Sequence, residues 1–82
     1  MPDWMNDKQK ALLKVCEGIF GPQCYLEMNM IRETEIFTGC WWIYSSDLDK
    51  LRPVVGEIRS IAIEAKSLKI IVTLPQDTNP KQ

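Results

Sequence analysis

The sequence predicts an α+β fold, a two-layer sandwich with two helices on one face of a three-stranded sheet. Apolar residues recur at helical spacing in two segments, residues 7–20 and 46–65. Three other segments are typical of strands, because their apolar residues alternate or because β-branched and aromatic residues cluster in them; they span residues 24–31, 36–45 and 67–74. The predicted order of elements is α-β-β-α-β.

The first helix has recognisable signals at both ends. Asn6 can cap it, with Gln9 three residues later in capping-box spacing, and a Gly-Pro pair beginning at Gly21 predicts its end. Trp4 or Met5, just before the cap, is expected to fold onto the first turn as a hydrophobic staple. One face of this helix is apolar and consists of Leu12, Val15, Cys16, Ile19 and Phe20.

The charged residues 32–35 predict a hairpin turn between the first two strands. A loop of two or four residues pairs Leu26 with Trp41. Opposed residues share a face of the sheet, and Leu26 is expected to face the helices, so Trp41 would lie in the core and Trp42 on the face away from the helices. A three-residue loop shifts the register by one residue and exchanges the two tryptophans. In either register, one tryptophan is expected on the sheet face that the helices do not cover.

The second predicted helix opens with cap chemistry at Ser46 and Asp49. Apolar residues then follow steps of three and four from Leu48 to Ala65, and Pro53 predicts either a kink or a short opening turn. A right-handed crossover through this helix would leave the second and third strands parallel. The third strand could pair beside the first or the second, and a central first strand is favoured.

The chain of 82 residues is expected to form a single domain, with an ordered core at residues 4–75 and a flexible tail at residues 76–82. No apolar run approaches the ~20 residues of a membrane helix, and the polar amino terminus lacks the pattern of a secretory signal. We therefore expect a cytoplasmic protein. The three cysteines match neither metal knuckles nor a disulfide framework, and are expected to be buried free thiols.

The residue types needed for common catalytic chemistry are scarce. The chain has no histidine, which removes the usual general base and the commonest neutral metal ligand. A cysteine nucleophile would lack a partner base, and the acidic pairs Glu33/Glu35 and Asp47/Asp49 fit a turn and a helix cap. We expect no enzyme activity, no cofactor, no metal and no small-molecule substrate.

Protein binding is the predicted function. On the uncovered sheet face the pattern places a contiguous apolar and aromatic patch, of a kind that commonly marks a contact surface. The predicted contact residues are Trp42, Tyr44, Tyr25, Ile36 and Ile71. The chain is thus interpreted as a small cytoplasmic interaction or regulatory module that binds a partner protein or a second copy of itself, as an adaptor, inhibitor or regulator.

Nucleic-acid binding is the alternative function. Arg52, Arg59 and Lys66 recur every seven residues along the predicted second helix, and such a basic stripe could meet phosphates. Residues 41–72 resemble the strand, helix, glycine turn, helix and strand core of KH nucleic-acid-binding domains, with "GEIR" from Gly56 in place of the GxxG turn. The resemblance implies a degenerate KH-like domain, whereas the net charge of −1 argues against a nucleic-acid partner.

Overall fold

A computed structural model describes residues 3–75 of the chain. The tail predicted at residues 76–82 lies outside the described residues. The elements are α1 (Asp7–Phe20), β1 (Tyr25–Met28), β2 (Thr34–Phe37), α2 (Ser45–Leu51), a 3₁₀ turn (Arg52–Val54), β3 (Glu57–Glu64) and β4 (Ser67–Thr73). The α+β class is confirmed, but the described sheet has four strands rather than the three predicted.

The four strands lie in the order β1-β2-β4-β3, and every neighbouring pair is antiparallel. The predicted central position of the first strand is therefore wrong. The predicted parallel arrangement of the second and third strands is also wrong, because β4 lies directly beside β2 and runs antiparallel to it. The crossover through α2 leads instead to β3, which is parallel to β2 with β4 inserted between them.

Helix α1 begins and ends where its sequence signals predict. The Gln9 N–H donates to Asn6 Oδ1 at 2.9 Å and the Asn6 N–H donates to Gln9 Oε1 at 2.8 Å, which completes the capping box. At the other end, Gly21 adopts φ 103° and its N–H donates to the carbonyl of Glu17. Met5 is buried in the core, whereas Trp4 remains 41% exposed.

The second helix, predicted over residues 46–65, is confirmed only up to Leu51, and its continuation beyond Pro53 is wrong. Helix α2 ends at Leu51, Pro53 lies in the 3₁₀ turn, and the chain continues as β3. Ala65 and Lys66 form a two-residue turn into β4 with φ values of 51° and 66°, the backbone of a type I′ hairpin turn. Ile58, Ala62 and Ala65 fit helical spacing, but the three β-branched isoleucines of this segment suit a strand, and pairing with β4 decides between the two structures.

The register of the β1–β2 hairpin also differs from the prediction. The loop contains residues 29–33, five residues rather than the two, three or four considered from sequence, and Leu26 pairs with Ile36 instead of Trp41. The Asn29 side chain holds this loop together by accepting a hydrogen bond from the Glu33 N–H at 2.8 Å. Because Leu26 faces the helices, Ile36 faces them too and is completely buried.

The core lies between the helices and one face of the sheet. Its buried apolar side chains are Met5, Leu12, Cys16, Phe20, Cys24, Leu26, Ile36, Leu51, Val55, Ile70, Val72 and Leu74. All three cysteines are free; Cys16 and Cys24 are buried as expected, whereas Cys40 is half-buried. Neither α-helix of the described chain combines the length and the apolar character that a membrane crossing requires.

The buried cysteine pair predicts a loss of stability in alkaline solution. A hydrogen bond with Cys24, together with burial, raises the pKa of the Cys16 thiol far above its ordinary value of 9.0. In the unfolded chain the Cys16 thiol ionises near its ordinary pKa of 9.0. The stabilisation that depends on the buried, protonated thiol is therefore complete below that pH, and it falls as the pH rises above it. The expected fall in the free energy of unfolding reaches about 1.4 kcal/mol per pH unit.

Urea unfolding under reducing conditions, at about pH 8 and about pH 10, measures this loss. The Cys16→Ala chain is the control, since it retains every other titrating group. We expect the wild-type chain to lose more stability than Cys16→Ala over this interval. Equal losses in the two chains would contradict the assignment to Cys16.

Candidate protein-contact site

The second strand of the sheet ends earlier than the sequence predicts. β2 stops at Phe37, and Gly39 adopts φ 75°, a left-handed conformation that turns the chain out of the sheet. The Thr38 N–H still donates to the carbonyl of Leu68 in β4 at 3.1 Å. Beyond this contact, residues 39–44 form a loop without strand structure, which we call the aromatic loop.

Three large side chains of the aromatic loop are exposed to solvent. Trp41 is 57% exposed, Trp42 61% and Tyr44 65%. The prediction that one tryptophan would enter the core is wrong, because both precede α2 on the loop and neither belongs to the sheet. The placement of Trp42 and Tyr44 on a sheet face is wrong for the same reason. A glycine inside a predicted strand was the available signal, since glycine there often marks a bend.

The base of the aromatic loop is tied to α1 and to the sheet. The Gln23 side-chain amide donates to the carbonyl oxygens of Phe20 and Thr38. The Cys40 N–H donates to Thr38 Oγ1 at 2.9 Å, and the Cys40 carbonyl accepts from the Leu68 N–H at 2.8 Å. These bonds hold the start of the loop in one position between the end of α1 and β4.

The other end of the aromatic loop is held by the first turn of α2. Tyr44 is the residue that caps this helix, and its N–H donates to the Asp47 carboxylate at 3.0 Å. In return, the Asp47 N–H donates to the Tyr44 carbonyl at 2.9 Å. The predicted cap at Ser46 is therefore wrong by two positions. With both ends held by hydrogen bonds, the loop presents its aromatic side chains from a fixed backbone.

A cleft of about 330 Å³ lies between the end of α1 and the aromatic loop. Its lining consists of Ile19, Phe20, Gly39, Cys40, Trp41, Trp42, Tyr44 and Asp47. Apart from the Asp47 carboxylate, these side chains are apolar or aromatic. The cleft is thus suited to an apolar side chain from another molecule, with a negative charge at its border for a basic neighbour.

The sheet face opposite the helices carries charged side chains as well as apolar ones. Lys69 Nζ lies 3.8 Å from a Glu35 carboxylate oxygen, 3.5 Å from one of Glu64, and 5.8 Å from the centre of the Phe37 ring. Tyr25 stacks on Phe37 with ring centres 4.9 Å apart. Because Lys69, Glu35 and Glu64 lie among the aromatic and aliphatic side chains, this face is not the continuous apolar surface that the sequence predicted.

The structure separates the five predicted contact residues into three groups. Tyr25 and Ile71 lie on the sheet face opposite the helices, while Trp42 and Tyr44 lie on the aromatic loop. Ile36 is completely buried in the core and cannot contact a partner. Only Trp42 and Tyr44 are brought together in one cleft. Trp41, Ile19 and Phe20 line the same cleft but are not among the predicted contact residues. The favoured register places Trp41 in the core, whereas Phe20 is buried in the core and also borders the cleft.

The basic residues of the alternative prediction do not form a stripe. Arg52 lies in the 3₁₀ turn, Arg59 on β3 and Lys66 in the turn between β3 and β4. Arg52 pairs with Asp49 at 3.5 Å and Arg59 with Glu33 at 3.2 Å. The segment that resembles the KH core has a strand where that core has its second helix.

Comparison of the chain with protein-family models, with curated proteins and with solved structures gave no significant match. Within residues 3–75, no three cysteine, aspartate or glutamate side chains come together as a group that could hold a metal ion.

Proposed function

We propose that this chain is a small protein-interaction or regulatory module that binds a partner protein through the aromatic loop and its cleft. One observation carries the proposal: three large aromatic side chains within four consecutive positions are each more than half exposed, and all three line a single cleft. An exposed apolar cluster of this kind on a small domain commonly marks a contact surface.

The energetics of interfaces support the same assignment. Tryptophan and tyrosine are enriched among the few residues that carry most of the binding energy. Their rings offer a large contact area and lose little side-chain entropy on binding. The hydrogen bonds at both ends of the aromatic loop reduce the entropy that its backbone would lose when a partner binds.

The lining of the cleft indicates the chemistry of the partner. Apolar walls favour an aliphatic or aromatic side chain, which would lie against Phe20 and Trp42. Asp47 at the border favours a lysine or arginine beside that side chain, because the opposite charge assists approach and orientation. We therefore propose a partner protein that presents an apolar residue with a basic neighbour.

The Trp42→Ala chain tests this function. The immobilised wild-type chain is used to capture proteins from a lysate of its native host, and a captured protein is then purified and titrated calorimetrically against both chains. We expect Trp42→Ala to raise the dissociation constant by about 30-fold or more, the effect of losing an interface residue worth at least ~2 kcal/mol.

The matched control is Ile31→Ala, because Ile31 is 74% exposed but lies in the β1–β2 loop and not in the cleft. It should leave the affinity unchanged. Circular dichroism of both variants checks that the fold is retained. A partner that binds Trp42→Ala as tightly as the wild-type chain would place the contact surface elsewhere and contradict the proposal.

A further inference from the structure

Strand β3 is an exposed edge strand with an apolar centre. It is eight residues long, lies at the edge of the described sheet, and is exposed at every residue except Ile58. Ile61 is 41% exposed and Ile63 is 66% exposed, although both lie on the same sheet face as the core, because the helices do not extend over this edge. Long apolar edges of this kind are normally protected or paired in natural proteins.

The hairpin turn determines which backbone groups of β3 point outward. In a hairpin with a two-residue loop, the residues that flank the loop, here Glu64 and Ser67, form a hydrogen-bonded pair. Alternate residues of β3 then direct their N–H and C=O groups away from β4. By this alternation the backbone groups of Ile61 and Ile63 point toward the free edge, where another strand could bind them.

We propose that β3 pairs antiparallel with β3 of a second copy of this chain, joining two four-stranded sheets into one continuous sheet. In the register that we assign, the two-fold axis passes beside Ala62, and Ile61 of each copy lies opposite Ile63 of the other. The backbone N–H and C=O groups of both residues point outward, so the two residues of each pair can hydrogen-bond to each other. Their four isoleucine side chains then form one apolar cluster on the helix side.

The charges of β3 and its turn favour a second copy over an unrelated strand. One end carries Glu57 and Arg59, and the other carries Glu64 and Lys66, so each end has one acidic and one basic residue. Antiparallel self-pairing brings opposite ends of the two strands together and places Glu64 of each copy near Arg59 of the other. Arg59 is paired with Glu33 at 3.2 Å and Glu64 with Lys69 at 3.5 Å within each copy, so the pairing would join these ion pairs into one network across the interface. A two-fold interface requires such self-complementarity, because the same surface must serve both copies.

This pairing goes beyond the proposed function and does not depend on it. No residue of β3 lines the cleft of the aromatic loop. Dimerisation would leave the loops of both copies available to partners, so a dimer would present two contact sites. Failure of partner binding and failure of dimerisation are therefore separate results.

Sedimentation velocity of the full chain tests the pairing, with Ile63→Lys as the disruptive variant. We expect the wild-type chain to sediment as a dimer at micromolar concentration. Ile63→Lys places one lysine from each copy in the interface and so buries two charges. It should raise the dimer dissociation constant by at least about a hundredfold. Ile31→Lys is the matched control, since it is the same change at an exposed isoleucine away from β3, and it should remain dimeric.

Two further measurements keep the test independent of that variant. Ile63→Pro removes an N–H that points to the free edge, so it should yield a folded monomer. In the wild-type chain, hydrogen exchange at the Ile61 and Ile63 amides should slow as protein concentration rises. A wild-type chain that stays monomeric at high micromolar concentration would overturn the proposal. A dimer that survives Ile63→Lys and Ile63→Pro would overturn it as well.

Discussion

Replacement of Ile36 by alanine is expected to lower the free energy of unfolding by about 3 kcal/mol. Ile36 is completely buried on the helix side of β2, where it pairs with Leu26 of β1 and with Ile70 of β4. Truncation removes its apolar contacts and leaves a cavity between two strands and the helices. A chain of 82 residues has a total stability of about 4 to 12 kcal/mol, so this single change removes a large part of it.

Urea unfolding followed by circular dichroism measures the effect, and Ile31→Ala is the control. Ile31 is 74% exposed, so its truncation should change the free energy of unfolding by less than about 0.5 kcal/mol. The comparison also distinguishes the two hairpin registers. The favoured register predicted from sequence places Ile36 on the surface, and equal, small effects of the two substitutions would support that register against the structure.

Replacement of Gln9 by alanine is expected to lower the free energy of unfolding by about 3 kcal/mol, because polar contacts are lost. Gln9 is 1% exposed, and its side chain accepts the Asn6 N–H at 2.8 Å while its Nε2 lies 3.5 Å from Thr34 Oγ1. The alanine variant loses half of the capping box, worth about 1 kcal/mol. It also deprives the buried Thr34 hydroxyl of this donor, which adds about 1 to 3 kcal/mol.

The Asn6→Ala chain separates the two contributions in the same urea experiment. This variant loses the cap but retains the Gln9 side chain near Thr34, so its expected cost is about 1 kcal/mol. If Gln9→Ala costs no more than Asn6→Ala, the contact between Gln9 and the sheet contributes nothing to stability. A larger cost for Gln9→Ala would show that this polar side chain joins α1 to β2.

Helix α1 illustrates the features that are predictable from short stretches of sequence. Its capping box joins Asn6 to Gln9, and its end at Gly21 depends on the conformational freedom of one glycine. Such interactions operate within a few residues and do not require the rest of the fold. The α+β class is equally accessible, because alternating apolar residues in β1 and β4 need only their own pattern.

The candidate site was only partly accessible in this way. The sequence predicts one exposed tryptophan, with Trp42 and Tyr44 as contact residues in the favoured register; both are exposed, and Trp41 is exposed as well. Their surroundings were not predicted, because the cleft forms where the end of α1 meets the aromatic loop. Gly39 and the hydrogen bonds of Gln23 produce that meeting, and they connect elements that are distant in sequence.

Short-range chemistry, then, specified the fold class, the first helix and the presence of unburied aromatic rings. Long-range pairing decided the rest: residues 57–64 are compatible with a helix or a strand, and contact with β4 makes them a strand. The side of the sheet on which Ile36 lies depends on the length of the hairpin loop, since a shift of one residue reverses the face of every side chain. Both outcomes depend on free-energy differences between whole arrangements of the chain, which no local pattern contains.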